Sequence, residues 1–145
     1  MADPSCAERV DEHKESRIST LRDLWDLYSE EGPESYHPEH GTNMNEYGLS
    51  FDYVAPETFP DQPEGYFRYQ ISWGGPSDEF RIYAQRLGEY SYSIYRIEYW
   101  FLDWFDGANV VLEGEDLKLI SEIFESFFVE AGSADHVLNE ALEQV

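Results

Sequence analysis

Apolar and polar residues alternate along most of the chain between residues 65 and 101, and this alternation leaves few folds open. In GYFRYQISW, residues 65 to 73, every second position is apolar: Phe67, Tyr69, Ile71 and Trp73. A period of two is typical of a half-buried β-strand. The turn-forming GGPSD that follows, residues 74 to 78, predicts a hairpin into a second strand, EFRIYAQ.

Two further segments extend this pattern. YSYSIYRIEYWF, residues 90 to 101, places Tyr95, Ile97, Tyr99 and Phe101 on one face. YGLSFDYVA, residues 47 to 55, is a candidate fourth strand, whereas the proline-rich residues 55 to 65 do not suit a central strand. The sequence therefore predicts an antiparallel meander of about four strands over about residues 47 to 103.

Helical spacing appears on both sides of this region. Apolar residues recur at intervals of three and four over about residues 10 to 30, and again over about residues 115 to 131. Gly132 is a candidate stop signal, and Ser133 can cap a last helix over residues 134 to 144. We predict one α+β domain over residues 1 to 145, with the helices on one face of the sheet and residues 1 to 10 as a candidate disordered segment.

Charge narrows the choice of partners. The 145-residue chain has 31 acidic and 9 basic side chains, a formal net charge of −22. Residues 67 to 100 hold four of each sign, so the excess lies on the flanks. Such a field repels nucleic acid and acidic membranes and favours a basic protein surface, of which nucleic-acid-binding proteins are the commonest source. Adaptation to high salt is an alternative explanation of the charge.

The N-terminal sequence and the cysteine count bear on location. MADPSCAERVDEHKES contains neither a basic leader nor an apolar stretch, and no apolar run reaches the length of a membrane span. We therefore expect a cytoplasmic protein. Cys6 is the only cysteine, which excludes an internal disulfide and a thiolate metal cluster.

No motif in the sequence predicts catalysis. There is no GxSxG, no glycine-rich phosphate loop and no HExxH. Three arginines of the predicted sheet could hold an anion, although pairing with carboxylates of neighbouring strands is the better explanation: Arg68, Arg81 and Arg96. His37 and His40 have a short spacing, but the sequence indicates no third metal ligand. We expect no enzyme activity, no cofactor and no metal.

The segment YRIEYWFLDWFDGA, residues 95 to 108, sets carboxylates among aromatic rings. Glu98 shares a strand face with Arg96, and Arg68 and Arg81 are expected on the same polar face, which predicts a cationic neighbour for Glu98. Asp106-Gly107 is a strong turn signal, so Trp104 and Phe105 lie near a hairpin end. Aromatic residues of this kind are enriched in protein interfaces.

Several blocks resemble a known group of proteins. YGLSFDYVAP, GGPSDEF and EYWFLDWFDGA are similar to segments of a family of small acidic accessory proteins carried on plasmids and other mobile elements. The resemblance covers about the central half of the chain and implies no catalytic residues. It implies a setting in which accessory proteins often inhibit host defences.

These observations predict an anti-defence inhibitor. The protein would act as an acidic nucleic-acid decoy that blocks a DNA- or RNA-binding channel of a restriction or CRISPR complex. The alternative is an immunity-like or adaptor protein that binds one partner through the aromatic turn. The candidate partner-binding residues are Asp23, Asp26, Glu30, Glu31, Trp100, Asp103, Trp104, Phe105, Asp106, Glu115, Asp116, Glu122, Glu125 and Glu130.

Overall fold

The computed structural model describes residues 5 to 143 and confirms the α+β prediction. A five-stranded antiparallel meander has the strand order β1-β2-β3-β4-β5. The strands are β1 Ser50–Val54, β2 Tyr66–Ser72, β3 Pro76–Gly88, β4 Ser91–Asp103 and β5 Asp106–Val111. The helices are α1 Cys6–Glu31, α2 Met44–Tyr47, α3 Gly114–Ile123, which continues as a π-helical stretch Phe124–Val129, and α4 Ser133–Glu143.

The fifth strand corrects the predicted hairpin end. The turn was expected at Asp106-Gly107, but these residues begin β5, and the two-residue turn is Trp104-Phe105. Glycine and aspartate have low strand propensity, so local sequence argues against a strand here. Pairing with the long strand β4 provides the backbone partners that local propensity does not indicate.

Helix α1 begins earlier than predicted. Ser5 is the N-cap: its hydroxyl accepts a bond from the Glu8 backbone N–H and donates to the Glu8 carboxylate. Residues 5 to 10 of the candidate disordered segment therefore cap or form the helix, while residues 1 to 4 lie outside the described part. The helix ends where Gly32, at φ +93°, donates its N–H to the Tyr28 carbonyl.

The chain divides into two compact units, each assembled from three segments. The first holds the chain up to Leu49, Gln70–Glu79 and Tyr99–Val110. The second holds Ser50–Tyr69, Phe80–Glu98 and the chain from Val111 onward. No single cut in the sequence separates them, and the prediction of one domain over residues 1 to 145 stays a prediction.

The core of the first unit lies under the apolar face of α1. Its buried helix residues follow the predicted spacing: Val10, Ile18, Leu21, Leu24 and Trp25. From β4, Tyr99 and Phe101 are buried in the same unit, and the Phe101 ring stacks on His13 with centroids 4.1 Å apart. Trp73 departs from the predicted core face, because it lies beyond the end of β2 and is 77% exposed.

Aromatic rings fill the core of the second unit. Phe51 of β1 stacks on Phe128 with centroids 3.9 Å apart, and Phe67 of β2 lies 5.1 Å from Phe124. The predicted helix over residues 115 to 131 is therefore present as α3 and its π-helical continuation. α4 packs on β1 and matches the predicted last helix, whose residue 144 lies outside the described part. Within residues 5 to 143, no helix is both long and apolar enough to cross a bilayer.

Candidate interaction surfaces

The turn between β4 and β5 exposes two large aromatic side chains. Trp104 is 86% exposed and Phe105 is fully exposed, and we refer to this pair as the aromatic tip. Trp104, the first residue of this turn, has φ +57°, which lies in the left-handed region. Glycine is the favoured residue at that first position, so a tryptophan there is costly on local grounds.

An apolar groove adjoins the aromatic tip within the first unit. It has a volume of about 520 Å³ and is lined by Trp73, Gly74, Gly75, Ser77, Leu102 and Trp104. The absence of side chains at the two glycines leaves space between the tryptophans. The sequence analysis placed Trp73 on the apolar face of a strand and did not predict that it lines this groove. Its position next to two glycines is a sign that the strand ends there.

The two carboxylates beside the tip hold the start of α1. Asp103 contacts the Arg9 guanidinium at 2.7 Å, and Asp106 accepts the Cys6 backbone N–H at 2.8 Å. The Cys6 N–H lowers the pKa of Asp106, and the Gly107 N–H, 3.0 Å away, adds to the effect. Burial raises the pKa of the Cys6 thiol. Both predicted carboxylates therefore have a structural contact, whatever partner the tip binds.

Six carboxylates form a row along the exposed side of α1. At 100° per residue they fall within an arc of about 80°, opposite the buried stripe. We refer to them as the acidic row: Glu8, Glu12, Glu15, Asp23, Asp26 and Glu30. Five of them are exposed. Asp23 is half-buried, with 44% of its side chain exposed, and contacts His40. Glu31 is exposed but lies off the row. The sequence analysis did not name Glu8, Glu12 and Glu15: Glu8 precedes the predicted helix start, whereas Glu12 and Glu15 lie inside the predicted helix and follow the same spacing.

Two arginines of α1 are directed away from the acidic row. Arg9 pairs with Asp103, and Arg17 makes two bonds to Asp78, at 2.6 and 3.2 Å. Asp78 is 2% exposed and also accepts bonds from Ser72 and Tyr99. Both arginines are therefore paired with carboxylates of the first unit and do not neutralise the acidic row. Lys14, which contacts Glu15, and Arg22 are the other basic residues of the helix.

The remaining predicted residues occupy several settings. Trp100 is half-buried in β4. In the second unit, Asp116 is half-buried at the start of α3, and the other acidic candidates of that region are exposed: Glu115, Glu122, Glu125 and Glu130.

The arginines of the sheet are engaged by carboxylates and rings. Arg68 makes two bonds to Asp52, at 2.7 and 3.0 Å. Arg96 lies 3.0 Å from Glu98, which gives Glu98 the cationic neighbour predicted for it, and also 3.1 Å from Glu64. Arg81 lies over the Tyr66 ring. The Arg68–Asp52 pair joins neighbouring strands, whereas Arg96 and Glu98 both belong to β4 and Glu64 precedes β2. The contacts favour pairing with carboxylates and rings over an anion site.

Neither a protein-family model nor a curated protein nor a solved structure matches this chain. The resemblance to accessory proteins of mobile elements therefore stays a prediction.

Proposed function

We propose that this protein is a cytoplasmic, non-catalytic inhibitor that binds the nucleic-acid channel of another protein as an acidic decoy. The acidic row carries the proposal. It runs from Glu8 to Glu30, a length of about 33 Å at the rise of an α-helix. Six carboxylates on one face of a 26-residue helix form a line of negative charge.

The charge density of the row can be compared with that of DNA. Six carboxylates over about 33 Å give one charge per roughly 5 to 6 Å. One DNA strand carries one per about 3.4 Å of helix axis, and the duplex one per about 1.7 Å. The row thus supplies somewhat more than half the density of a single strand. A partner that recognises this row would normally bind a single nucleic-acid strand or one strand of a duplex. In a channel that holds a duplex, further acidic residues of the protein would have to contribute to binding.

The predicted setting, an accessory protein of a mobile element that inhibits host defences, indicates the class of target. A restriction enzyme or CRISPR effector complex holds its nucleic acid in a channel lined by Lys and Arg, which the row would occupy. Association should be fast and should weaken roughly tenfold or more between about 50 and 200 mM salt, because exposed charges are screened.

Matched charge reversals test the decoy. One variant carries E12K, D26K and E30K in the acidic row, and the control carries E122K, E125K and E130K in the second unit. Both change the net charge by the same amount, and all six side chains are exposed. In cells with a restriction or CRISPR system, the wild-type protein should raise the plating of unmodified phage, and the row variant should lose this effect more than the control.

The outcomes separate three interpretations. A selective loss in the row variant supports the proposal, whereas equal losses would spread binding over both groups of acids. Full activity of both variants would refute the decoy. Salt-dependent capture of the target by the purified protein gives the same comparison without cells.

A second candidate function rests on the exposure of the aromatic tip. The protein would then be an immunity-like or adaptor protein that inserts Trp104 or Phe105 into one specific partner, with the groove beside Trp73 receiving an apolar side chain in return. Such binding should resist salt, since buried aromatic contacts depend little on ionic strength. It should survive the charge reversals in the acidic row and be lost when the tip is removed.

A further inference from the structure

A histidine pair and one aspartate of the acidic row come together in the first unit. Asp23 lies in α1, while His37 and His40 lie in the loop that follows the helix. One ligand atom of each residue lies within 4.8 Å of those of the other two. The His40 Nε2 atom is 3.0 Å from an Asp23 carboxylate oxygen, and the two imidazole centroids are 4.6 Å apart.

Local structure holds the two histidines on one side of the loop. The His37 N–H donates to the Thr42 carbonyl at 2.8 Å, and the Gly41 N–H donates to the His37 carbonyl at 2.8 Å. Gly41 has φ +64°, which favours glycine, and Pro38 restricts the turn further. Asp23 lies in the middle of a 26-residue helix, so its backbone is fixed independently of the loop.

We propose that Asp23, His37 and His40 form a binding site for a divalent transition-metal ion such as Zn²⁺. Two imidazoles and one carboxylate are a common ligand set for zinc, whereas Mg²⁺ and Ca²⁺ prefer oxygen ligands throughout. With metal–ligand bonds of about 2.0 to 2.1 Å, two atoms 3.0 Å apart subtend about 95° at the ion. Widening this pair to a tetrahedral angle takes a few tenths of an ångström.

The largest adjustment falls on His37. Ligand atoms at a tetrahedral zinc are about 3.4 Å apart, so an atom at the 4.8 Å limit must move by up to about 1.4 Å. The Glu39 N–H now donates to His37 Nδ1 at 3.2 Å. Coordination through Nε2 would put a proton on Nδ1 and give up this contact, which is exposed and replaceable by water.

Charge also favours a cation at this position. Asp23 belongs to the acidic row, and Asp26 lies one turn further along the same exposed face. The field of a protein with formal charge −22 raises the local concentration of cations. Three protein ligands leave one position for water or a partner side chain. The bound ion would fasten the loop to α1 and offset part of the charge of the acidic row.

The sequence does not indicate this site because its third ligand is remote from the histidines. Asp23 precedes His37 by 14 residues and comes from a different element. The proposal does not depend on the decoy function, because a metal could stabilise the loop in a protein of either proposed class.

Calorimetric titration of the tag-free, chelator-treated full chain with Zn²⁺ tests the site. We expect one ion per chain, with affinity at least about tenfold weaker in each of D23N, H37A and H40A. The matched controls are H136A, which removes a histidine of the second unit that is 77% exposed in its side chain, and C6S, which removes the buried thiol. Both should bind like the wild type.

Two further measurements distinguish the loss of a metal ligand from the loss of folding. Circular dichroism should show unchanged secondary structure in the loop variants, and histidine NMR signals of the wild-type chain should shift on adding Zn²⁺ for His37 and His40 but not for His13 or His136. Absence of saturable binding to the wild-type chain would overturn the proposal. So would wild-type affinity in all three ligand variants, or an equal loss in H136A.

Discussion

Replacing Trp104 with glycine should leave the free energy of unfolding almost unchanged while removing the main side chain of the aromatic tip. The side chain is 86% exposed and sits at φ +57° in a two-residue turn. Three opposing terms decide the net effect: relief of backbone strain, loss of a small buried area and the higher entropy of glycine in the unfolded chain.

Each term is of the order of 1 kcal/mol. A left-handed conformation costs a non-glycine residue about 1 to 2 kcal/mol, which glycine relieves. The greater conformational entropy of glycine in the unfolded chain lowers the free energy of unfolding by about 0.5 to 1 kcal/mol. About a seventh of a tryptophan surface of ~250 Å² is buried, which is worth about 0.9 kcal/mol. The sum lies within about 1 kcal/mol of zero.

Urea denaturation followed by far-UV circular dichroism measures the change. Trp25→Ala is the contrasting variant, because that side chain is only 8% exposed and its loss should cost about 3 to 5 kcal/mol. A cost above about 2 kcal/mol for W104G would refute the reasoning and make the tip a structural element. A stable W104G protein that still captures its partner with wild-type affinity would remove the tip from the binding surface.

Two further predictions concern buried carboxylates. R17M should cost about 2 to 4 kcal/mol in urea denaturation, because it strands the buried charge of Asp78, and adding D78N should recover part of the loss; no recovery would contradict this. Burial disfavours ionisation of Asp135, but bonds from the Tyr92 hydroxyl and the Tyr90 N–H outweigh it and lower its pKa. The lowered pKa stabilises the fold above the unfolded-state value of about 3.9, so the stability gap between wild type and D135N should be full at neutral pH and shrink as the pH falls below about 4; a gap that is constant with pH would contradict it.

Local patterns were sufficient for the elements that bury a continuous face. Alternation identified β2 and β4 because side chains on a pleated strand reach the core at every second residue. Of the predicted β4 face, Ile97, Tyr99 and Phe101 are buried, whereas Tyr95 is 57% exposed. β5 could not be found in this way, since its residues become a strand only by pairing with β4. The start of α1 could have been found, because Ser5 followed by Glu8 three residues later matches the sequence pattern of a helix N-terminus.

The candidate surfaces depend on contacts that are distant in sequence. The acidic row follows from helical spacing alone once the start of α1 is known. In contrast, Asp103 and Arg9 are 94 residues apart, and no local pattern indicates that the hairpin carboxylates bind the helix start. Trp73 and Trp104 line one groove for the same reason, because strand pairing brings their segments together.

The attachment of the hairpin end to α1 has a consequence for the energetics of recognition. A two-residue turn has no slack, and the carboxylates on either side of it, Asp103 and Asp106, are each bound to the helix. Trp104 and Phe105 are therefore presented with their backbone already ordered, and only their side-chain torsions remain to be fixed on binding. Ordering a side chain costs about 0.5 to 1.5 kcal/mol, much less than ordering a loop. The aromatic tip would then keep its backbone conformation in a complex, and any backbone rearrangement on binding would take place in the partner.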